Sequence, residues 1–441
     1  MTYDKDGNID MKLISRLMLV ATLLWSTGCS TTSPSAANAS LSHSKSASAS
    51  NAGASTSPTN SSYASGAVAL YPDYNTSPVA ADMTGVTHTA MQLADKIKLG
   101  LNIGNTLEAT GGETAWGNPR ITGDLIKAIK QSGFNAIRLP ASWDQYANQQ
   151  TAQIDPNWLQ RVKTVVQYCV DNDMYVIVNI HWDGGWLENH VTPANRDAVS
   201  AKQKAYWQQI ATSLRDFDEH VMFASANEPN VNDATQMDVL MSYHQTFINA
   251  VRATGGRNAY RVLIVQGPST DITKTSQLMT SMPTDTVPDR LMVEVHYYSP
   301  WNFAGMTADT PSGKQFFYWG KNFHSTTDTA HNPTWGEEDF LDAQMSRMKA
   351  QFLDRNIPVV MGEFGAVDRH TVAADVAVMS KDDLKLHHAS RAYFFKYLAK
   401  QRITTGVLPF FWDTGGLISR TNYTVLDQQS LDGLVQGANG T

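Results

Sequence analysis

Short apolar runs recur along the chain at residues 99–103, 136–139, 175–180, 221–224, 262–265, 291–295, 358–361 and 406–411. Each is followed by a polar loop and then by a helical pattern. Apolar residues spaced three and four apart mark the helices most clearly at 158–171, 202–217, 237–254 and 338–355, and a further helix at 124–132 is stopped by Gly133. Eight strand–helix repeats over the back four-fifths of the chain predict an α/β fold, a (β/α)8 TIM barrel with extended βα loops. A doubly wound open sheet is the alternative, but no Gly-rich dinucleotide turn follows the first run. The longest predicted insertion, residues 300–335, follows the sixth strand.

The front of the chain reads differently. Met11-Lys12-Leu13-Ile14-Ser15-Arg16 is a short basic segment, and residues 17–25 form an apolar run too short to span a bilayer, which takes about 20 residues. It closes on Ser26-Thr27-Gly28-Cys29, so residues 1–29 are expected to be a signal peptide of lipoprotein type, with Met11 the expected start and Cys29 the lipidated residue. Ser26 stands where such a box usually carries Leu. Residues 30–66 hold 14 Ser and eight Ala among 37 positions, with Lys45 the one fixed charge. Such a segment cannot bury enough apolar surface to offset its ordering entropy, and it is expected to be a disordered tether. Residues 67–441 are expected to be the catalytic domain. Because Ser30 is not Asp, the expected location is the outer membrane at the cell surface, with plain secretion as the alternative.

Charge and cysteine content narrow the partners. The 441 residues carry a net charge of −7, of which residues 67–441 hold −8, so a basic footprint for nucleic acid is absent. Two cysteines, Cys29 and Cys169, build neither a disulfide framework nor a cysteine zinc site. Cys169 falls in the apolar pattern of a helix and is expected to be a buried, unreactive thiol. Aromatic residues make up 10% of the chain and serve either a large core or a surface on which sugars stack.

In a barrel of this kind the chemistry lies at the C-terminal ends of the strands. The second run ends in Arg138, the third in Asn179-Ile180-His181-Trp182-Asp183, and the fourth in Asn227-Glu228-Pro229. The sixth ends in His296-Tyr297-Tyr298, the seventh in Glu363-Phe364-Gly365, and the eighth in Trp412-Asp413. Each alone has a plain reading, as a turn, a solvated acid, a hydrogen-bonded histidine or a core ring. Their conjunction at six strand ends points to glycoside hydrolysis, which needs one protonated and one ionised carboxyl. Two carboxyls set close together separate their pKa values, because the charge on one disfavours ionising the other. Arg138 and the Tyr298 hydroxyl are expected to keep Glu363 ionised, while Glu228 holds its proton. Asn227 can reach the 2-hydroxyl of the sugar under attack, and Trp412 offers a face for its ring.

These residues resemble glycoside hydrolase family 5, over about residues 87–434. The family's set falls on Arg138, His181, Asn227, Glu228, His296, Tyr298, Glu363 and Trp412. By that resemblance Glu228 is the acid/base and Glu363 the nucleophile of a retaining double displacement, with the other six supporting or binding substrate. The segments Leu99-Gly100-Leu101-Asn102-Ile103-Gly104-Asn105-Thr106-Leu107-Glu108 and Glu113-Thr114-Ala115-Trp116-Gly117-Asn118-Pro119 resemble subfamily 4, whose members cleave β-1,4-glucans and often prefer xyloglucan. Asn105 joins the substrate-binding set on this basis. Two departures stand out: Trp182 replaces a second His, and Ala224 follows Phe223 where Glu is common. Trp182 bears on a sugar subsite and so on substrate preference.

The resemblance implies an endo-acting monomer on plant cell-wall β-glucan, first xyloglucan and then unbranched or mixed-linkage glucan. It needs no metal or organic cofactor. The histidines show no H-E-x-x-H spacing, which leaves a metal hydrolase a remote alternative. A glucan-binding surface lipoprotein without activity is the alternative from another class, and the presence of both Glu228 and Glu363 speaks against it. Trp116, Trp182, Trp186, Trp301, Trp319 and Trp335 lie in predicted loops and suggest an extended cleft, with about half of them expected to pack the loops instead.

Overall fold

Alternation within each strand divides the apolar residues between two cores. Leu101, Ile137, Val176, Val178, Phe223, Leu263, Val293 and Met361 face outward and are buried beneath helices. Ile177, Met222, Ile264, Met292, Val360 and Phe410 face inward and fill the lower interior. The computed structural model describes residues 70–311 and 313–441. The expected signal segment, Cys29 and the tether lie outside the described residues.

The strands are β1 (Gly100–Ile103), β2 (Ala136–Leu139), β3 (Tyr175–Asn179), β4 (Val221–Ala224), β5 (Leu263–Gln266), β6 (Leu291–Tyr297), β7 (Val359–Phe364) and β8 (Leu408–Asp413). All pair in parallel with their sequence neighbours, and β8 returns to β1, closing the barrel. The matching helices are α1 (Gly123–Gln131), α2 (Pro156–Asp171), α3 (Arg196–Leu214), α4 (Ala234–Ala253), α5 (Ile272–Leu278), α6 (Glu338–Gln351), α7 (Lys381–Ala399) and α8 (Gln428–Asn439). The expected TIM barrel is present.

Local chemistry starts these helices. Thr122 accepts the Leu125 amide at the head of α1, Asp155 accepts that of Asn157 before Pro156 in α2, and Asp233 accepts that of Gln236 in α4. A short helix, Ala90–Lys96, runs ahead of β1, and its Leu93 and Ala94, with Ile97 just after it, plug the lower end of the barrel. The interior is therefore apolar at one end, and the polar inward residues gather at the other. Cys169 is buried on α2, and burial pushes its thiol pKa up, as expected of an inert group.

Three strands run further than the apolar pattern predicts. β6 continues to Tyr297, β7 to Phe364 and β8 to Asp413, so His296, Glu363 and Trp412 lie on strands rather than in loops. The ladder register shifts between Val295 and His296 and between Met361 and Phe364, which re-aims the side chains there. Trp319, expected as a loop platform, is fully buried and packs edge-on against Phe394 of α7, while Trp116 and Trp335 stand exposed.

Candidate active site

The register of the barrel brings the polar residues together. His296 pairs with Glu363 across β6 and β7, Asn102 with Arg138 across β1 and β2, and Trp412 with Asn102 across β8 and β1. Neighbouring strands lie roughly 5 Å apart, so side chains on one face at one level are in contact by construction.

Arg138 is the hub and is fully buried. Its Nη1 donates to Glu363 Oε1 at 2.8 Å and to Asn102 Oδ1 at 3.0 Å, and its Nη2 donates to Asn227 Oδ1 at 2.8 Å. Nε lies 2.7 Å from Glu294 Oε1 as a charge contact. The Tyr298 hydroxyl donates to Glu363 Oε2 at 3.0 Å. His296 Nδ1 sits 2.7 Å from Glu228 Oε1 and 3.8 Å from Glu363 Oε2, and its Nε2 sits 3.1 Å from Glu294 Oε1. Atoms of Glu228, His296 and Glu363 all fall within 4.8 Å of one another.

Burial opposes charging His296, but the carboxylates of Glu363, Glu228 and Glu294 outweigh it and hold its pKa at about 9. Burial pushes Glu363 above the ordinary carboxyl range, and the charge of Glu228 adds to this. His296, Arg138 and the Tyr298 hydrogen bond pull it back. The expected influence of Arg138 and Tyr298 is therefore real, but it works against a desolvation that the sequence does not reveal. For Glu294 the balance falls the other way: burial is outweighed by Arg138 and His296, and its pKa is lowered.

His181 and Trp412 stack beside this cluster, their rings 5.7 Å apart and 11° from parallel. Burial, with Arg138 and His296, holds the His181 pKa well down, so the ring is neutral. Gly104 must lack a side chain here, because a Cβ would lie 2.8 Å from the Trp412 indole. Asn105 follows it with a φ of 58°, and its amide N–H donates to Glu108. Asn105 and Trp182 lie in the loops after β1 and β3. Asp183 is structural: it accepts the amides of Trp143 and Asp144 at 2.8 and 2.7 Å and ties the loop of His181 to that after β2. Asp413 likewise accepts the Gly415 and Leu417 amides.

Four neighbours of the site are missing from the sequence expectations: Glu294, Glu188 and Glu108, which are at no strand end, and Gln266, which ends β5. Glu294 is fully buried on β6 and accepts from Gln266 Nε2 at 2.7 Å. A charge in the middle of the apolar run at 291–295 is the signal that could have revealed it. Gly362 also serves it, because a Cβ there would come 2.0 Å from Glu294 Oε1.

A family model for cellulase (glycosyl hydrolase family 5) matches residues 102–415. The chain belongs to glycosyl hydrolase family 5. As a member of that family it is a glycosidase, and polysaccharide is its class of substrate. This family 5 chain is 35% identical over 394 residues to the xyloglucan-specific endo-β-1,4-glucanase BoGH5A of Bacteroides ovatus, covering 85% of this chain and 74% of that protein. It superimposes on the Bacteroides ovatus family 5 xyloglucanase bound to a XXXG heptasaccharide with a TM-score of 0.75, at 33% identity, covering 84% of this chain and 80% of that one. A GH5-4 broad-specificity endoglucanase from Bacteroides salanitronis gives a TM-score of 0.70 at 31% identity, covering 82% and 98%. The family 5 assignment and its β-glucanase relatives bear out the expectation of a glucan-cleaving barrel.

Proposed function

We propose that this family 5 enzyme is a retaining endo-β-1,4-glucanase that acts on xyloglucan. The close approach of Glu228 and Glu363, with atoms of both within 4.8 Å, carries the reading. Retaining glycosidases hold their carboxyls about 5–5.5 Å apart, whereas inverting ones leave roughly 6.5–9.5 Å for a water. Glu363, 7% exposed and gripped by Arg138 and Tyr298, suits the nucleophile. Glu228, 32% exposed, faces water and suits proton exchange.

In the first step a Glu363 oxygen bonds to the anomeric carbon as the glycosidic C–O bond breaks. Glu228 gives its proton to the departing oxygen. In the second step Glu228, now ionised, takes a proton from water, whose oxygen bonds to the anomeric carbon as Glu363 leaves. The configuration is retained. His296 fixes the Glu228 carboxyl, Asn227 is held by Arg138 beside it, and Trp412 supplies the sugar platform.

The xyloglucan preference rests on the family 5 relatives named for that polymer. The broad-specificity relative supports unbranched glucan as the second reading. The test is hydrolysis of tamarind-type xyloglucan beside carboxymethylcellulose, with product anomers followed by NMR and with Glu228→Ala and Glu363→Ala in parallel. The expected result is β-anomer first, faster turnover of xyloglucan, and loss of activity in both variants. Near wild-type turnover in either variant overturns the roles, and cleavage of the unbranched glucan alone overturns the substrate.

The same proposal includes export, acylation of Cys29 and a surface tether, with the domain acting as a monomer on plant cell-wall glucan. Detergent partitioning of the wild type against Cys29→Ala tests the anchor, and light scattering tests the monomer.

A further inference from the structure

Glu188 is 4% exposed and belongs to no strand end. It opens a single turn, Glu188–His190, in the loop between β3 and α3. That turn is fixed from below by buried Leu187 and Val191, and from the side by the Tyr243 hydroxyl of α4, which donates to His190 O at 2.9 Å. From this support Glu188 reaches across to the residues that follow β4. Its Oε1 accepts the backbone N–H of Glu228 at 2.7 Å, and the Asn227 side chain is in hydrogen-bonding reach of the same carboxyl. Its carbonyl accepts the Asn230 amide at 3.0 Å, and Asn189 Oδ1 accepts Asn230 Nδ2 at 2.7 Å. Glu188 therefore grips both sides of the Asn227-Glu228 peptide from a rigid turn.

We propose that Glu188 is a positioning residue that aims the Asn227–Glu228 pair, so that the Glu228 carboxyl meets the glycosidic oxygen. This rests on Glu228 being the proton donor. The backbone amide of Glu228 has no freedom to swing while Oε1 holds it, so the direction of its side chain is set from its root. Burial, with the charge of Glu228, pushes the Glu188 pKa up to about 8. At neutral pH it is the uncharged acid, and it grips the peptide without adding a further negative charge beside the carboxyl pair. Glutamine reproduces both the acceptor and the neutrality.

The experiment uses two substrates that differ in their need for a proton. A β-glucan needs one on its leaving oxygen, whereas 2,4-dinitrophenyl β-cellobioside loses a stable phenolate without it. Because kcat/KM reports the first covalent step, misaiming the acid lowers it for glucan alone. Glu188→Ala is expected to lower kcat/KM on xyloglucan about 30–100-fold, the scale of a roughly 1 Å misplacement, while the aryl substrate stays within about threefold. Glu188→Gln is expected to restore glucan turnover to within about threefold at pH 6. Glu188→Asp, which draws the acceptor back by one methylene, is read in parallel so that a folding failure of the alanine variant leaves the comparison intact. Equal losses on both substrates, or no loss on glucan, overturn the proposal. Glu228→Ala separates the two readings. If it lacks the glucan-selective loss, the donor assignment has failed; if it shows that loss and the Glu188 variants do not, the positioning role has failed.

Discussion

His296 offers one ring nitrogen to both carboxyls of the pair, with Nδ1 2.7 Å from Glu228 and 3.8 Å from Glu363. Its other nitrogen meets Glu294 at 3.1 Å. Despite burial, these anions hold its pKa at about 9, so the ring is a cation through neutrality. A raised pKa contributes stability that is fully present below the ordinary histidine value of 6.5 and is lost as pH rises through about 9. Titration of the ring by NMR is expected to show a midpoint near 9, and Glu294→Gln is expected to lower it by removing one anion. A wild-type midpoint below the ordinary histidine value would contradict the cationic bridge.

Arg138 satisfies Glu363, Asn102 and Asn227 and neutralises Glu294. Arg138→Met takes the guanidinium from two buried carboxylates and leaves His296 as their shared cation. Breaking a buried pair in this way costs about 3–5 kcal/mol, and urea unfolding at pH 7 measures it. Arg138→Lys keeps the charge, but one ammonium cannot copy the fork, and kcat/KM is expected to fall about 100-fold. A lysine variant with wild-type kinetics would show that charge alone suffices.

The parts of this site that follow an apolar run were legible in the sequence. Arg138, Asn227, Glu228 and Glu363 each end or follow such a run, and the contrast marks them. Glu294 sits inside an apolar run rather than at its end, so attention to strand ends passes over it although its charge stands out among the flanking valines. Glu188 lies in a loop of mixed polarity, and only the fold brings it beneath Glu228. The extra length of β6 to β8 was hidden for a related reason. Their last inward residues are polar because they face the site, so the apolar pattern stops before the ladder does. Trp319 and Trp335 fall in the same insertion, and composition cannot say which one packs against α7 and which stays in solvent.

Gly362 lies between two site residues, and a Cβ there would come 2.0 Å from Glu294 Oε1. A carboxylate can usually move aside, but this one is pinned by Arg138, Gln266 and His296. Gly362→Ala is therefore expected to cost about 1–3 kcal/mol by overpacking. It is also expected to lower kcat, because the displaced carboxylate carries His296 and Arg138 with it. An alanine variant with unchanged thermal midpoint and kcat would mean that Glu294 has room to retreat.

Trp116 and Trp335 are 41% and 44% exposed, on the loops after β1 and β6. Large rings left in solvent at the active end of a barrel fit a role in stacking distant glucose units. Ground-state contacts remote from the cleaved bond bind substrate and transition state equally, so they govern KM. Trp116→Ala and Trp335→Ala are each expected to raise KM for the polymer about fivefold, the effect of roughly 1 kcal/mol, with kcat held. An unchanged KM in both would leave these rings without a part in polymer binding.

Glu108 is a second buried acid beside the site, 3% exposed, and it accepts the Thr106 amide at 2.9 Å. Burial pushes its pKa up to about 7 in spite of three backbone bonds, and the charge of Glu363 adds to the rise. The folded chain therefore keeps a proton that the unfolded chain releases near the ordinary value of 4.5. Stability falls with pH across the window from 4.5 to about 7, by up to about 3 kcal/mol, and the loss is complete above it. Glu108→Gln cannot titrate, so its offset from wild type is expected to shift in favour of the variant as pH rises from 5 to 8. Thermal midpoints of both proteins across that range read the change of slope, which is independent of any constant cost of replacing the acid. Parallel curves would show that Glu108 is ionised throughout, and its backbone bonds would then outweigh its burial.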